Sequence, residues 1–261
     1  MLRTELLLQR LNDIGKSLER KGGALLLLGL GSVGTELERL DEYSDLDFFV
    51  IVKPGQKQRY IDHLDWLDEV HPLVYSFKNT DVGYKILFED GIYGEYAIFE
   101  ELEMAHVSYT NGRVVWKDSM YNDNVVTAPS ASIPNQRVND LDFPLNEALT
   151  NLYVGLGRYI RGERLSATRF IQSYAIDRIL SILHLLEQEV DYYPDPFGNE
   201  RRLEVRFPHF AERIGDMIQG YDHVAESAIC ILNFMEEVYP VNRRLADEIR
   251  RLSLICLKES H

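Results

Sequence analysis

The chain has 261 residues, enough for one large domain or two modest ones with a proper buried core. Apolar residues make up 45% and charged residues 27%, an ordinary soluble composition, with no run of the length and apolarity of a membrane span. The formal net charge of −14 argues against a nucleic-acid partner, which needs clustered Lys and Arg. A cationic small molecule suits that field better, although acidity is also a plain route to solubility. Cys230 and Cys256 lie in apolar, helix-like surroundings without metal-type spacing, and the seven histidines are scattered. With no signal-like leader at the N-terminus, the expectation is a cytoplasmic protein.

In chain order, Leu7, Leu11 and Ile14 space as one face of a helix over about residues 3–20, which Gly22-Gly23 would end. Residues 24–28 read as a buried strand, 33–40 as a short helix and 46–52 as a second strand closed by Pro54-Gly55. A helix over 56–70 places Tyr60, Leu64 and Leu67 on one face. Strands follow at 73–77, 84–88 and 92–99, the last two joined by a Glu89-Asp90-Gly91 hairpin turn, with one more at 113–116. Strands interleaved with helices and ending in a hairpin predict an α/β (α+β) domain with a mixed sheet.

Residues 122–143, rich in Asn, Asp, Ser and Pro, read as a loop or linker. Beyond it the pattern is helical, over 144–161, 166–189, 207–220, 223–239 and 241–257. The domain expectation is therefore residues 1–125, a linker 126–143, and a helical-bundle domain 144–261 that shapes a substrate cleft or a dimer contact. Tyr153, Tyr159, Tyr174 and Tyr192-Tyr193 could line such a cleft, but aromatics at helical spacing more often pack a core.

The stretch LLLLGLGSVGTELERLDEYSDLDFFVI, from Leu25 to Ile51, carries the most chemistry. Residues two apart in a strand point to one face, so Asp45 and Asp47 present two carboxylates side by side at the start of an otherwise apolar strand. Adjacent carboxylates repel and are costly to bury without a cation. Hard oxygen ligands of this kind suit Mg²⁺, which takes one or two protein carboxylates and completes its shell with phosphate oxygens and water. Gly31-Ser32 supplies a turn whose amides and hydroxyl can meet phosphate. Either feature alone is common turn chemistry; in this order, between strand-like runs, they point to an enzyme that handles a nucleoside triphosphate.

Gly31-Ser32, a gap of about a dozen residues, then Asp45-Leu46-Asp47-Phe48 resembles the signature of the nucleotidyltransferase superfamily related to DNA polymerase β. The run from Gly94 to Glu100 is similar to the third-carboxylate strand of the antibiotic nucleotidyltransferases, particularly the lincosamide type. The resemblance implies an N-terminal nucleotidyltransferase fold, two Mg²⁺ ions held by Asp45 and Asp47, and a triphosphate gripped by Gly31 and Ser32. It places Glu95, which shares a face with Ala97 and Phe99, as third metal ligand or general base, ahead of Glu100, Glu101 and Glu103. It further implies ATP or another nucleoside triphosphate as co-substrate, a hydroxyl of a small molecule such as a lincosamide or aminoglycoside antibiotic as acceptor, and a homodimer. The expected reaction is transfer of AMP from Mg·ATP to that hydroxyl. A protein-nucleotidylating enzyme and a non-catalytic nucleotide-binding module are the alternatives. In this chain Leu30 stands where many relatives carry an aromatic residue, and Val33-Gly34 follow without a basic residue. Ser44 could orient Asp45, while Arg39 and Lys53 flank the motif and read first as surface charge.

Overall fold

A computed structural model describes residues 1–109, 112–121 and 136–259, the side chain of residue 259 excepted. The chain divides into two compact units, Met1–Ile133 and Pro134–His261.

The first unit is built on a six-stranded mixed sheet. Its strands are β1 (Ala24–Gly29), β2 (Leu46–Val52), β3 (Leu73–Lys78), β4 (Gly83–Phe88), β5 (Tyr93–Glu100) and β6 (Arg113–Lys117), in the order β3-β4-β5-β2-β1-β6. β2 and β5 run parallel at the centre, and every other neighbouring pair is antiparallel. The expected hairpin joins β4 to β5 at Gly91, whose φ of +80° suits a residue without a Cβ. Asp90 in that turn is tied to α1 (Arg3–Lys21) by a 2.6 Å ion pair with the buried Arg10.

One face of the sheet packs Leu46, Phe48, Val50, Tyr96 and Ile98 against Leu7, Leu11, Ile14 and Leu18 of α1 and against Tyr60 and Trp66. The other face is closed at one end, where Leu26, Leu28 and Ile51 pack with Met104 and Tyr109 beside Phe49 and Phe99. The opposite end of that face, where β2 and β5 begin, holds Asp47 and Glu95 half-buried.

Two expected helices are broken in the fold. Residues 33–40 form two 3-10 turns, Gly31–Val33 and Leu37–Arg39, in place of one helix. The Gly31 carbonyl accepts from both Gly34 N and Glu36 N, and Gly34 adopts φ −94°, ψ −121°, outside the helical region. Residues 56–70 split into α2 (Lys57–Asp62) and α3 (Asp65–Asp68), with His63 extended between them. The break lets the Trp66 indole N–H reach the Tyr60 carbonyl and the Tyr84 hydroxyl reach that of Ile61, so tertiary hydrogen bonds outweigh helical propensity.

The second unit is helical: α4 (Asp142–Ile160), α5 (Arg164–Arg169), α6 (Ile176–Leu186), α7 (Leu203–Arg206), α8 (Pro208–Met217), α9 (Val224–Val238) and α10 (Arg243–Glu259). A π-helical segment, Phe170–Ala175, joins α5 to α6 within the run read as one helix. Leu152, Leu156, Ile171, Ile179, Ile231 and Ile249 are among its fully buried core residues. Tyr159 and Cys256 belong to that core, whereas Tyr153 and Tyr174 stay exposed. Most of the expected linker lies outside the described residues. Among the described residues no helix is long and apolar enough to cross a membrane.

Candidate active site

β2 opens directly on the acids. Its Leu46, Phe48 and Val50 are fully buried on the α1 side, so strand alternation turns Asp45 and Asp47 to the other side. The approach is shaped by an Asp41–Ser44 turn, in which Ser44 Oγ donates to Asp41 Oδ1 and accepts from the Asp41 amide, both at 3.0 Å. Ser44 thus organises the loop into Asp45 without bonding the Asp45 carboxylate in these contacts.

The parallel register pairs Asp47 with Glu95 and Leu46 with Gly94. Cross-strand partners share a face, so the third carboxylate lies beside the second, one strand away at roughly 5 Å backbone spacing. The same row continues to Lys85 on β4 and Phe77 on β3. Glu95 accepts from Asn79 Nδ2 at 2.8 Å and lies 3.5 Å from Lys85 Nζ. Lys85 and Asn79 are site residues that the sequence reading missed. For Lys85 the signal was available, in the alternation of β4 across the hairpin; Asn79 is visible only once the turn between β3 and β4 is brought against Glu95.

The electrostatics follow from this crowding. Burial raises the Asp45 carboxyl above the ordinary carboxylate range, and the charge of Glu95 adds to it against a lowering backbone hydrogen bond. Burial also raises the Tyr93 hydroxyl; Lys85 opposes this, while Glu95, Asp45 and Asp47 reinforce it. Tyr93 therefore sits in the field of all three acids.

Two of the rivals of Glu95 have structural work. Glu100 accepts from Gly55 N at 2.7 Å, and Glu103 binds Lys57 at 2.6 Å and the Glu100 amide at 2.7 Å. Arg39 pairs with Glu36, and Lys53 with Asp118 at 3.0 Å.

Gly31 meets Asp47 at the end of β1, with Ser32 next in the same turn. The Leu30 amide donates to the Asp47 carbonyl at 2.8 Å, which staples the turn to β2. Gly31 has φ +53°, and a Cβ built on it would stand 3.9 Å from Asp47 Oδ2, so the turn lies against that carboxylate. The turn is not the helix N-terminus expected for a phosphate seat, since only a three-residue 3-10 turn follows. Because space is ample and only the backbone angle objects, Gly31→Ala should cost about 1–2 kcal/mol in urea unfolding, the penalty of a left-handed L-residue. A loss below about 0.3 kcal/mol would show that the positive φ is not required.

The residues fit a magnesium ion by donor chemistry. Two neighbouring carboxylates, the charge on one disfavoured by burial and by a third acid, gain from a divalent cation, and Mg²⁺ needs only one or two protein ligands when phosphate supplies others. Among the described residues no group of three or more His, Cys, Asp or Glu is gathered to hold a metal by itself. Among the described residues these carboxylates therefore form no closed cage. A pH consequence follows. A raised native carboxyl binds more protons than the unfolded one, so this group's contribution to stability falls as pH rises from its unfolded value through its native value. Without divalent cation, Asp45→Asn should therefore melt higher than the parent at neutral pH, and the gap should close on acidification below the unfolded carboxylate range. Parallel melts across pH check this, and a lower-melting variant at pH 7 would contradict it.

No protein-family model matches the sequence, and comparison with curated proteins gives no match. Among solved structures, an aminoglycoside 6-adenyltransferase from Bacillus subtilis aligns over 97% of this chain and 97% of its own, at 14% identity and a TM-score of 0.34. The STING-associated CdnE c-di-GMP synthase from Capnocytophaga granulosa aligns over 98% of this chain and 80% of its own, at 12% identity and a TM-score of 0.33. At these identities and TM-scores the likeness carries no functional argument, and the reading below rests on the residues themselves.

Proposed function

We propose that this protein is a Mg²⁺-dependent nucleotidyltransferase that moves AMP from ATP to a hydroxyl of a small molecule. The observation that carries this reading is the register of β2 and β5, which sets Glu95 beside Asp47, two residues from Asp45, with the Gly31 turn against the Asp47 carboxylate. Such a group can do what nucleotidyl transfer asks: neutralise the triphosphate, orient it, and take a proton from the acceptor near attack geometry.

In this reading Asp45 and Asp47 hold the magnesium, and Gly31 and Ser32 seat the triphosphate. The metal supplies charge neutralisation at the attacking and leaving oxygens. Glu95 serves as the third carboxylate, its position fixed by Asn79 and Lys85. A role as base predicts that Glu95→Gln lowers the rate at an unchanged Mg²⁺ requirement; a role as ligand predicts a raised Mg²⁺ requirement instead. An antibiotic of lincosamide or aminoglycoside type is the acceptor to try first.

The test is incubation with labelled ATP, Mg²⁺ and a panel of hydroxylated small molecules, with adducts read by mass spectrometry. A nucleotide adduct on one of them supports the reading. Failure to bind Mg·ATP at millimolar concentration would sink it, and labelling of proteins in place of small molecules would move the assignment to a protein-nucleotidylating enzyme.

A further inference from the structure

From Gly29 to Glu38 the chain reads GLGSVGTELE, so the turn proposed to seat the triphosphate has no basic residue of its own. Of the cations that flank the motif in the chain, Arg39 is engaged with Glu36 and Lys53 with Asp118. A triphosphate adds several negative charges to a protein that already stands at −14.

Arg113 stands at the start of β6, paired across the ladder with Gly29, the last residue of β1. Its Nε donates to the carbonyls of Val33 and Gly34, each at 3.2 Å, and its Nη2 to the Val33 carbonyl at 2.8 Å. These are the carbonyls of the turn that begins at Gly31. A Cβ on Gly29 would come within 2.5 Å of the Val33 carbonyl and one on Gly34 within 2.6 Å of the Gly29 carbonyl, so turn and strand are pressed together where the guanidinium grips.

Two features of this contact go beyond a structural clasp. The partners are neutral oxygens, and among the described residues no carboxylate is paired with Arg113. The guanidinium is also half-buried, and burial lowers its pKa with no acid opposing the shift. A partly desolvated charge with no counter-ion is a costly placement, and an anion at the turn relieves it. Arginine carries five N–H donors in a planar fork, and the carbonyls occupy only the Nε and Nη2 side.

We propose that Arg113 is the cation of the triphosphate site, fixing the Gly31–Gly34 turn through the carbonyls of Val33 and Gly34 while its uncompensated charge is answered by the phosphates of the bound nucleotide. The proposal rests on the nucleotidyl-transfer reading only in taking that turn as the phosphate seat.

The test is calorimetric titration of the whole protein with Mg·ATP, AMP and inorganic tripolyphosphate at two salt concentrations. The wild type should bind ATP and tripolyphosphate more tightly than AMP. Arg113→Met should weaken both polyphosphates about tenfold or more, weaken AMP much less, and flatten the salt dependence. Arg113→Lys keeps the charge and loses the fork, so it should recover part of the affinity; it also keeps the test open if the Met variant does not fold. Equal losses for ATP and AMP, or a Lys variant no better than Met, would make Arg113 a scaffold residue and overturn the proposal. AMP transfer by the wild type with an unchanged ATP/AMP preference in Arg113→Met sinks this inference alone. Arg113-dependent tripolyphosphate binding without transfer to any acceptor leaves it standing and sinks the nucleotidyltransferase reading. No binding of either polyphosphate to the wild type ends both.

Discussion

Asp47→Asn should lower the proposed nucleotidyl transfer about a thousandfold with the fold intact. The links that Asp47 makes through its backbone, the Leu30 amide on its carbonyl and the β2–β5 ladder, do not depend on the side-chain charge. Asparagine keeps the volume and one oxygen but loses the anion that would hold the metal. Metal stabilisation of transition-state charge amounts to several kcal/mol, and roughly 4 kcal/mol corresponds to about a thousandfold in rate. The measurement is the initial rate of pyrophosphate release at saturating Mg·ATP and acceptor, with a thermal melt as fold control. A variant within tenfold of the parent would remove Asp47 from the metal site and the two-carboxylate assignment with it.

The second large effect is on stability. Trp66→Ala should cost about 3–5 kcal/mol in urea unfolding, the usual range for deleting a buried tryptophan. Trp66 is fully buried beneath the strands that carry the acids, with ring centroids 5.3 Å from Tyr96, 5.7 Å from Tyr60 and 6.5 Å from Phe48. Phe48 and Tyr96 are the chain neighbours of Asp47 and Glu95, and their rings stack at 5.1 Å. The cavity would thus open under the point where the two acidic strands meet. A loss under about 1 kcal/mol would mean that the surrounding rings collapse to fill it.

Much of this was legible beforehand, for identifiable reasons. The six strands announce themselves by apolar runs bounded by Gly, Pro and Asp, and the β4–β5 hairpin by Glu89-Asp90-Gly91. The Gly31-Ser32 and Asp45/Asp47 pairs are local patterns, so spacing alone could find them. The breaks at Gly34 and His63 were not legible, because each is met by a contact from a distant residue, Arg113 on the Gly34 carbonyl and Tyr84 on that of Ile61. Lys85 and Asn79 escaped because they matter only through Glu95, which other strands bring to them. Arg113 escaped for a similar reason: nothing in RVVWK says that its first residue will clasp a turn some eighty positions earlier.

By itself the sequence determined the strand and helix types, the change to a helical second half, and the pair of carboxylates at the start of β2. These follow from short-range periodicity and from the cost of placing two acids on one edge of a buried strand. Only the tertiary structure decided which third acid stands beside them, what holds it, and which cation reaches the Gly31 turn. Those are matters of strand order and register, and a parallel pairing such as β2 with β5 leaves no local mark in the chain, since its partners lie nearly fifty residues apart.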